Sequence, residues 1–466
     1  MIYTISNISR VRLFLFIASL ISLSLFTYAQ NVRTNLLPST NKQDTIKDLT
    51  LQECINYALL HQPALNQSLI NIDIAKATNA INLSGWLPQV NVTGNLIHYI
   101  QLGLVPTSTT SIGSTGSPAT GSQPRYSNTF IPQLAASQAL FNPSLLYAAK
   151  TAPVYIKQAK EVTTSTKINL VSTVSKSFYN VLLTLKQIDI LKEDTARLGK
   201  SLRDAYHQYK GGIVDETDYE QATITLNNSK AQLKQATENV IPQYAALKQL
   251  MGYPVDKQFN VSFDTLQMIK SIQIDTAQQL QYEKRIEYQQ NKTQKDLQYQ
   301  LTHYYKLAFL PTLSAFYNYN LGFQSNQFST LFGNSSPSSL IGLSLNIPIF
   351  TGFSRVQNVR KAKMQEALTD WDEVNLRLQI NNEYTTALAN YKSNLYNFEL
   401  LQKNVATAKR VYFVVDLQYR QGIVAYLNVI TAESNLITSE INYLNSLFQL
   451  LSSKIDLEKA MGDISF

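Results

Sequence analysis

The sequence predicts an α+β protein in which one unit, a pair of strands followed by a pair of very long helices, occurs twice. Three observations support this prediction. The chain repeats itself at a displacement of 210 positions, four segments alternate between apolar and polar residues, and the long segments carry a heptad pattern. A chain of 466 residues is long enough to hold both copies.

The composition excludes several classes of protein. The chain has 40 Lys and Arg against 32 Asp and Glu, but only 15% of its residues are charged and 44% are hydrophobic. Disordered proteins have the opposite balance, and no basic stripe indicates a nucleic-acid surface. With one Cys and four widely separated His, a disulfide framework and a Cys-based zinc site are excluded. We therefore expect no metal and no cofactor.

The amino-terminal segment has the layout of a secretory signal peptide. Arg10 and Arg12 precede an apolar run over 13–26, and Ala29 stands before Gln30. The run is shorter than the roughly 20 residues that a transmembrane helix needs, so a membrane anchor at this segment is the less favoured alternative. We expect a signal peptide at 1–29 and a short N-terminal segment at 30–49. Since no later stretch is apolar over about 18 residues, this exported chain is either soluble or enters a membrane as a β-barrel.

The internal repeat is read from matching motifs. Residues 208–214 read QYKGGIV and residues 418–424 read QYRQGIV. The same displacement carries Met251 and Gly252 onto Met461 and Gly462. We expect a first structural repeat at 50–252, an inter-repeat segment at 253–274 and a second repeat at 275–466.

Each copy begins with a helical stretch, about 50–84 or 275–308, which two strands follow. The strands are predicted at about 87–103 and 128–141, and at about 309–323 and 338–350. Apolar and polar residues alternate along them, as in a membrane barrel or in a two-sided sheet of a soluble sandwich. Four strands cannot close around a pore, so several chains must contribute if these strands span a membrane.

The long helices carry apolar residues at steps of three and four, the heptad seam of a coiled coil. Gly-containing turns at 211–215 and 421–425 join the helices of each pair. A helix from about 142 to 210 would be about 100 Å long. A structural rod without a pore is the alternative that this periodicity leaves open. The seam of the first copy includes Phe178, Val181, Ile188, Leu191, Leu198 and Ala205; that of the second includes Tyr391, Phe398, Tyr412 and Tyr419.

These residues form a pattern that resembles the TolC-type outer-membrane efflux proteins. The series that begins at Tyr419 and Gly422 and ends at Leu436 is similar to that family's helix-tip signature. Leu87-Pro88 and Leu310-Pro311 resemble its junctions from helix to strand, and Phe350 with Gly352 resembles its junction from strand to helix. The resemblance covers essentially the whole mature chain.

The resemblance implies a homotrimer with a twelve-stranded β-barrel, four strands from each chain, that continues into a periplasmic α-helical barrel. It places the protein in the outer membrane of a Gram-negative bacterium, extending into the periplasm. An inner-membrane pump and a periplasmic adaptor, or membrane fusion protein, would drive small molecules through this passive exit duct. The exit duct of a type I protein secretion system is the alternative within the family. No catalytic residues are expected.

By resemblance, the two turns would meet the adaptor at the periplasmic mouth. The docking residues would be Gly212, Ile213 and Val214 in the first copy and Gly422, Ile423 and Val424 in the second. The alternative is that the glycines only end their helices.

A constriction at the same end is also implied. In the family, acidic residues of the second-copy signature form a ring, but Asn428 and Thr431 stand at those positions here. Tyr419 is retained, Tyr209 is its first-copy counterpart, and Asp218 occupies the site of Asn428 in the first copy. Asp218 would either hold cations at the gate or only begin a solvated helix.

Overall fold

A computed structural model describes residues 47–101, 105–106, 122–123, 126–262, 272, 274 and 279–466. The predicted signal peptide at 1–29, most of the segment at 30–49 and most of the loop between the first two long strands lie outside the described residues. Within the part that the structure describes, no helix combines the length and the apolar character needed to cross a bilayer.

Both copies contain, in the same order, a helical stretch, two long strands and two long helices, which confirms the predicted tandem architecture. The strand β1 (Lys47–Leu49) precedes the first copy. That copy holds α1 (Leu51–His61), α2 (Pro63–Leu83), β2 (Gln89–His98), β3 (Val105–Pro106), β4 (Ser122–Gln123), β5 (Asn128–Phe141), α3 (Pro143–Lys210) and α4 (Glu216–Met251), and β6 (Phe259–Val261) follows it. The second copy holds α5 (Ile286–Leu307), β7 (Thr312–Ser325), β8 (Ser335–Asn346), α6 (Ser354–Arg420) and α7 (Tyr426–Met461).

Several boundaries differ from the sequence prediction because of prolines. The helical stretch at 50–84 is two helices, since Gln62 precedes Pro63 and is extended, with φ −65° and ψ 121°. The strand predicted at 87–103 is Gln89–His98, and it begins only after Pro88. The strand predicted at 309–323 is Thr312–Ser325, and it likewise begins after Pro311.

Two further predictions need correction. The strand predicted at 338–350 is Ser335–Asn346: Phe323 pairs with Ser335, which brings a serine-rich stretch into the ladder, and Pro348 lacks the N–H to prolong it. The helix predicted at 275–308 begins only at Ile286, because the backbone at Arg285 is extended, with ψ 126°.

The chain divides into two compact units, and the described residues of the first lie within 78–150 and 301–360. Its centre is a four-stranded antiparallel sheet in the order β2-β5-β7-β8, so β2 and β8 are its edges. The predicted strand at 128–141 is observed as Asn128–Phe141. Its weak alternation reflects Pro132, which faces Gly94 but has no partner in β7, and a bulge near Ala139.

The pairing register gives this sheet one apolar and one polar face. One row across the strands reads Val90, Ala136, Tyr317 and Ile341. A row on the other face reads Thr93, Gln133, Asn320 and Ser338. The apolar face is open to the surroundings, since Ile341 is 83% exposed.

The described residues of the second unit lie within 47–77, 151–300 and 361–466, and they include most of the long helices. The apolar seam predicted along α3 is buried here: Phe178, Val181 and Leu191 are each at most 1% exposed. In the second copy Tyr391 is buried as well, and its hydroxyl donates to the carbonyl oxygen of Ile272 at 2.8 Å. The heptad prediction is thus confirmed by burial in both copies.

A matching glycine ends the last helix of each copy. Gly252 and Gly462 have φ of 67° and 78°, in the left-handed region. A Cβ on Gly252 would lie 2.6 Å from the carbonyl oxygen of His61, and a Cβ on Gly462 would lie 2.9 Å from the backbone of Lys284. Glycine is required at both positions, by backbone conformation and by the closeness of a neighbouring chain segment.

We predict that Gly252→Ala lowers the free energy of unfolding by about 2–3 kcal/mol. Alanine is strained at the positive φ of this position, and its Cβ would clash with the carbonyl oxygen of His61. Gly199→Ala is the control: its Cβ would have no atom within 4 Å, and alanine should raise helix stability by up to about 1 kcal/mol. Denaturant unfolding in detergent, followed by circular dichroism, measures both. Equal stability of the two variants would contradict the prediction.

Candidate functional site at the helical hairpin tips

The turns at 211–215 and 421–425 have one backbone geometry. In the first, Gly212 N–H donates to the carbonyl of Tyr209 and Ile213 N–H donates to that of Gln208, both at 2.9 Å. In the second, Gly422 and Ile423 donate to Tyr419 and Gln418 at the same distances. This pair of bonds is the Schellman motif, which satisfies the last carbonyls of a helix.

The two glycines serve this motif through backbone conformation. Gly212 has φ 71° and Gly422 has φ 74°, and a Cβ on either would have no atom within 4 Å. Their role in ending α3 and α6 therefore follows from geometry. Docking at these residues remains a separate prediction.

The residues that follow the glycines are apolar and accessible. Ile213 is 75% exposed and Ile423 is 65% exposed, whereas Val214 and Val424 are half-buried. In a Schellman motif the residue after the glycine commonly packs back on its helix. Here both isoleucines instead present their side chains outward.

The two tyrosines of the predicted constriction take part in packing within the chain. Tyr419 donates its hydroxyl hydrogen to Oε1 of Gln208, and its ring lies 5.4 Å from that of Tyr426. Burial, aided by Tyr426 and Asp218, raises the pKa of Tyr419 to about 12. Tyr209 stacks on Tyr219 at 6.2 Å. Tyr419 thus joins the tips of the two copies.

Of the other three residues of the predicted constriction, Asp218 and Asn428 lie in the first turns of α4 and α7, and Thr431 lies in the second turn of α7. Asp218 is half-buried, and its N–H donates to the carbonyl of Asp215 at 3.2 Å. Asn428 repeats this contact with Ala425 and is exposed, as is Thr431, whose hydroxyl donates to its own helix. A carboxylate in a first turn interacts favourably with the helix dipole, which is the simpler role foreseen for Asp218.

Sequence reasoning missed a buried charged group above the tips. Asp194 and Glu433 are 1% and 2% exposed, and Arg197 lies between them. The one available signal was Glu433 beside Ala432 on the buried side of a heptad pattern, but its partners come from the other copy. Among the residues that the structure describes, no cluster of three or more His, Cys, Asp or Glu could hold a metal ion.

Comparison with known proteins agrees with this architecture. A sequence model of the family described as "Outer membrane efflux protein" matches residues 54–253 and 305–463. The chain is similar to the outer membrane protein TolC of Vibrio cholerae, with 20% identity over 424 residues that cover 89% of this chain and 91% of that protein.

Solved structures show the same fold at low sequence identity. The crystal structures of CusC match with a TM-score of 0.74 and 19% identity over 92% of this chain and 95% of that one. The CmeC outer membrane channel of Campylobacter jejuni matches with a TM-score of 0.68 and 19% identity over 92% of this chain and 90% of that one.

Proposed function

The chain belongs to the outer membrane efflux protein family, and from this we propose that three copies form a passive duct through which an efflux system releases small molecules. Its place is the outer membrane, with the helices extending into the periplasm. An inner-membrane pump supplies the driving force, and a periplasmic adaptor connects the pump to the helix tips.

The observation that carries the proposal is the incomplete sheet. Its edge strands, Gln89–His98 and Ser335–Asn346, each have one unpaired side, and its faces divide into apolar and polar rows. Unpaired backbone groups are costly in lipid, so a sheet in a membrane must close. Three copies joined edge to edge would make twelve strands with the apolar face toward lipid and the polar face toward the lumen.

A second exposed surface fits the same assembly. Along α6 an apolar stripe recurs at steps of three and four but lies outside the packed interior of the chain. The stripe consists of Met364, Leu368, Trp371, Val374 and Leu378, which are 47–71% exposed. A contiguous apolar stripe at this spacing is typical of a coiled-coil contact with another helix. A neighbouring copy would cover it.

The exposed isoleucines at the tips support adaptor docking. Ile213 and Ile423 lie on turns of equal geometry. The same type of binding element on an adaptor could therefore contact either isoleucine. Asp218 is proposed as the remaining acidic group of the gate, present once in each chain.

We expect the mature protein, extracted from outer membranes in mild detergent, to have the native mass of three chains and to conduct ions in planar bilayers. Light scattering coupled to gel filtration gives the mass, and single-channel recording gives the conductance. A monomer, or release from the membrane without detergent, would contradict the proposal, because four strands cannot enclose a pore.

We predict that the double variant Ile213→Asp, Ile423→Asp abolishes active efflux while trimer and conductance are retained. Replacing two apolar contact residues with carboxylates should cost about 2 kcal/mol or more of docking free energy per site. Accumulation of a fluorescent substrate in cells measures efflux. Val255→Asp is the control, since Val255 is apolar and 87% exposed but lies away from the turns. Normal efflux in the double variant would remove these residues from the docking surface.

We predict that Asp218→Ala leaves assembly intact and lowers the cation preference of the open channel by about twofold or more, because three carboxylates leave the constriction. Reversal potentials in a salt gradient measure the preference. Asp189→Ala is the control, since Asp189 is an exposed carboxylate of α3 paired with Lys186. Unchanged selectivity in Asp218→Ala would assign Asp218 to the helix start alone.

A further inference from the structure

The buried charged group above the tips joins both copies of the repeat. Asp194 and Arg197 lie on α3, about 20 Å of helix before the turn at 211–215, and Glu433 lies two turns into α7. The carboxyl groups of Asp194 and Glu433 are 1% and 2% exposed, and the side chain of Arg197 is 28% exposed. The group is therefore an internal contact of the helices.

The two buried carboxyl groups accept different numbers of hydrogen bonds. Asp194 accepts from Nη2 of Arg197 at 3.3 Å and from the hydroxyl of Ser229 on α4 at 2.7 Å. Glu433 accepts from Nε of Arg197 at 3.4 Å. Three helices meet at these four side chains, and Glu433 is less well supplied with donors than Asp194.

Charge is also unbalanced, with one guanidinium between two buried carboxyl groups. Two cations of α6 have partners of their own: Lys409 pairs with Glu440 at 3.0 Å, and Arg420 pairs with Asp416 at 2.8 Å. If both buried carboxyls were ionised, the interior would hold an excess negative charge, which is costly unless it is compensated.

We propose that the carboxyl group of Glu433 is a proton-sensitive clasp, which holds the two helical hairpins together when it is neutral and loosens their packing when it ionises. The inference concerns contacts within one chain, and it holds whether or not three chains form a duct.

The electrostatic surroundings of Glu433 support this. Burial is the largest cause and repulsion from Asp194 the second, and together they raise the pKa of Glu433 to about 7. Asp416 on α6 adds to the rise, whereas Arg197 opposes it. Burial also raises the pKa of Asp194, and Glu440 of α7 contributes, but the bonds from Ser229 and Arg197 oppose that rise. Asp194 accepts hydrogen bonds from two donors and Glu433 from one, so the proposal assigns the proton to Glu433.

One further group faces Glu433 from α6. The ring of Tyr412 lies 5.7 Å below the guanidinium of Arg197, and burial next to Glu433 raises the pKa of this tyrosine to about 12. Tyr412 therefore stays neutral throughout the range in which Glu433 titrates.

The direction of the effect follows from the raised pKa. An ordinary glutamate has a pKa of 4.5, and in the packed helices that of Glu433 is about 7. The packed state thus binds a proton that the opened state releases. The stabilisation is fully present below pH 4.5 and is lost as pH rises through about 7.

Hydrogen exchange of the full-length protein in detergent tests the proposal. Protection factors of the amides at 429–436, corrected for intrinsic rates, are compared at pH 5.5 and 8.5. For openings that expose Glu433 we expect protection to fall by up to about 30-fold at the higher pH. In Glu433→Gln, which mimics the neutral form, protection should be equal at both pH values and up to about tenfold above that of the parent at pH 5.5, because a glutamate exposed by opening is already mostly ionised at that pH.

Glu399→Gln is the control, since Glu399 is an exposed carboxylate on α6, and it should retain the parent's pH dependence. Protection in the parent that does not change with pH would overturn the proposal without any substitution. So would Glu433→Gln with the parent's pH dependence, because another group would then titrate. Loss of protection in Glu433→Gln at both pH values would identify a fixed ion pair and would also overturn it.

Discussion

The rest of the structure depends on the unpaired backbone groups along the two edges of the sheet, Gln89–His98 and Ser335–Asn346. A soluble protein protects such edges with charges, prolines or a covering helix, and a membrane tolerates them only when the sheet closes. In this chain neither edge strand contains Asp, Glu, Lys or Arg, a single proline, Pro337, lies near the start of Ser335–Asn346, and Ile341 in the same strand is 83% exposed. The sheet is therefore built to be continued by other strands.

Duplication explains which features the two halves share and which they cannot. Backbone devices occur twice, as in the paired Schellman turns and the glycines at 252 and 462. The buried group of Asp194, Arg197 and Glu433 has no second copy. Displaced by 210 positions, Asp194 and Arg197 correspond to Asn404 and Thr407, and Glu433 corresponds to Thr223. Each copy thus keeps only one part of the group, and only their association completes it.

Periodic patterns made most of the fold predictable from the sequence. The turns at 211–215 and 421–425 and the strand at 128–141 are observed at the predicted positions. The sequence prediction missed strand ends that are set by pairing with a neighbouring strand rather than by alternation. At Ser335, for example, pairing with Phe323 extends the ladder into a polar stretch. At the tips the sequence indicated the glycines and the exposed isoleucines. It could not indicate that Tyr419 bonds Gln208, since that contact joins residues 211 positions apart.

The tips are held by few interactions, and this bears on how they could move. The turns themselves are fixed by backbone hydrogen bonds, with open space around Gly212 and Gly422. Above them lie a small apolar cluster, including Ala205, Tyr426 and Val429, and then the group around Arg197. Regions with little buried apolar surface open at lower free energy than the cores they adjoin. Glu433 therefore lies in a region that opens at low free energy, where a change of one charge can alter hairpin packing while the glycine caps keep each turn intact.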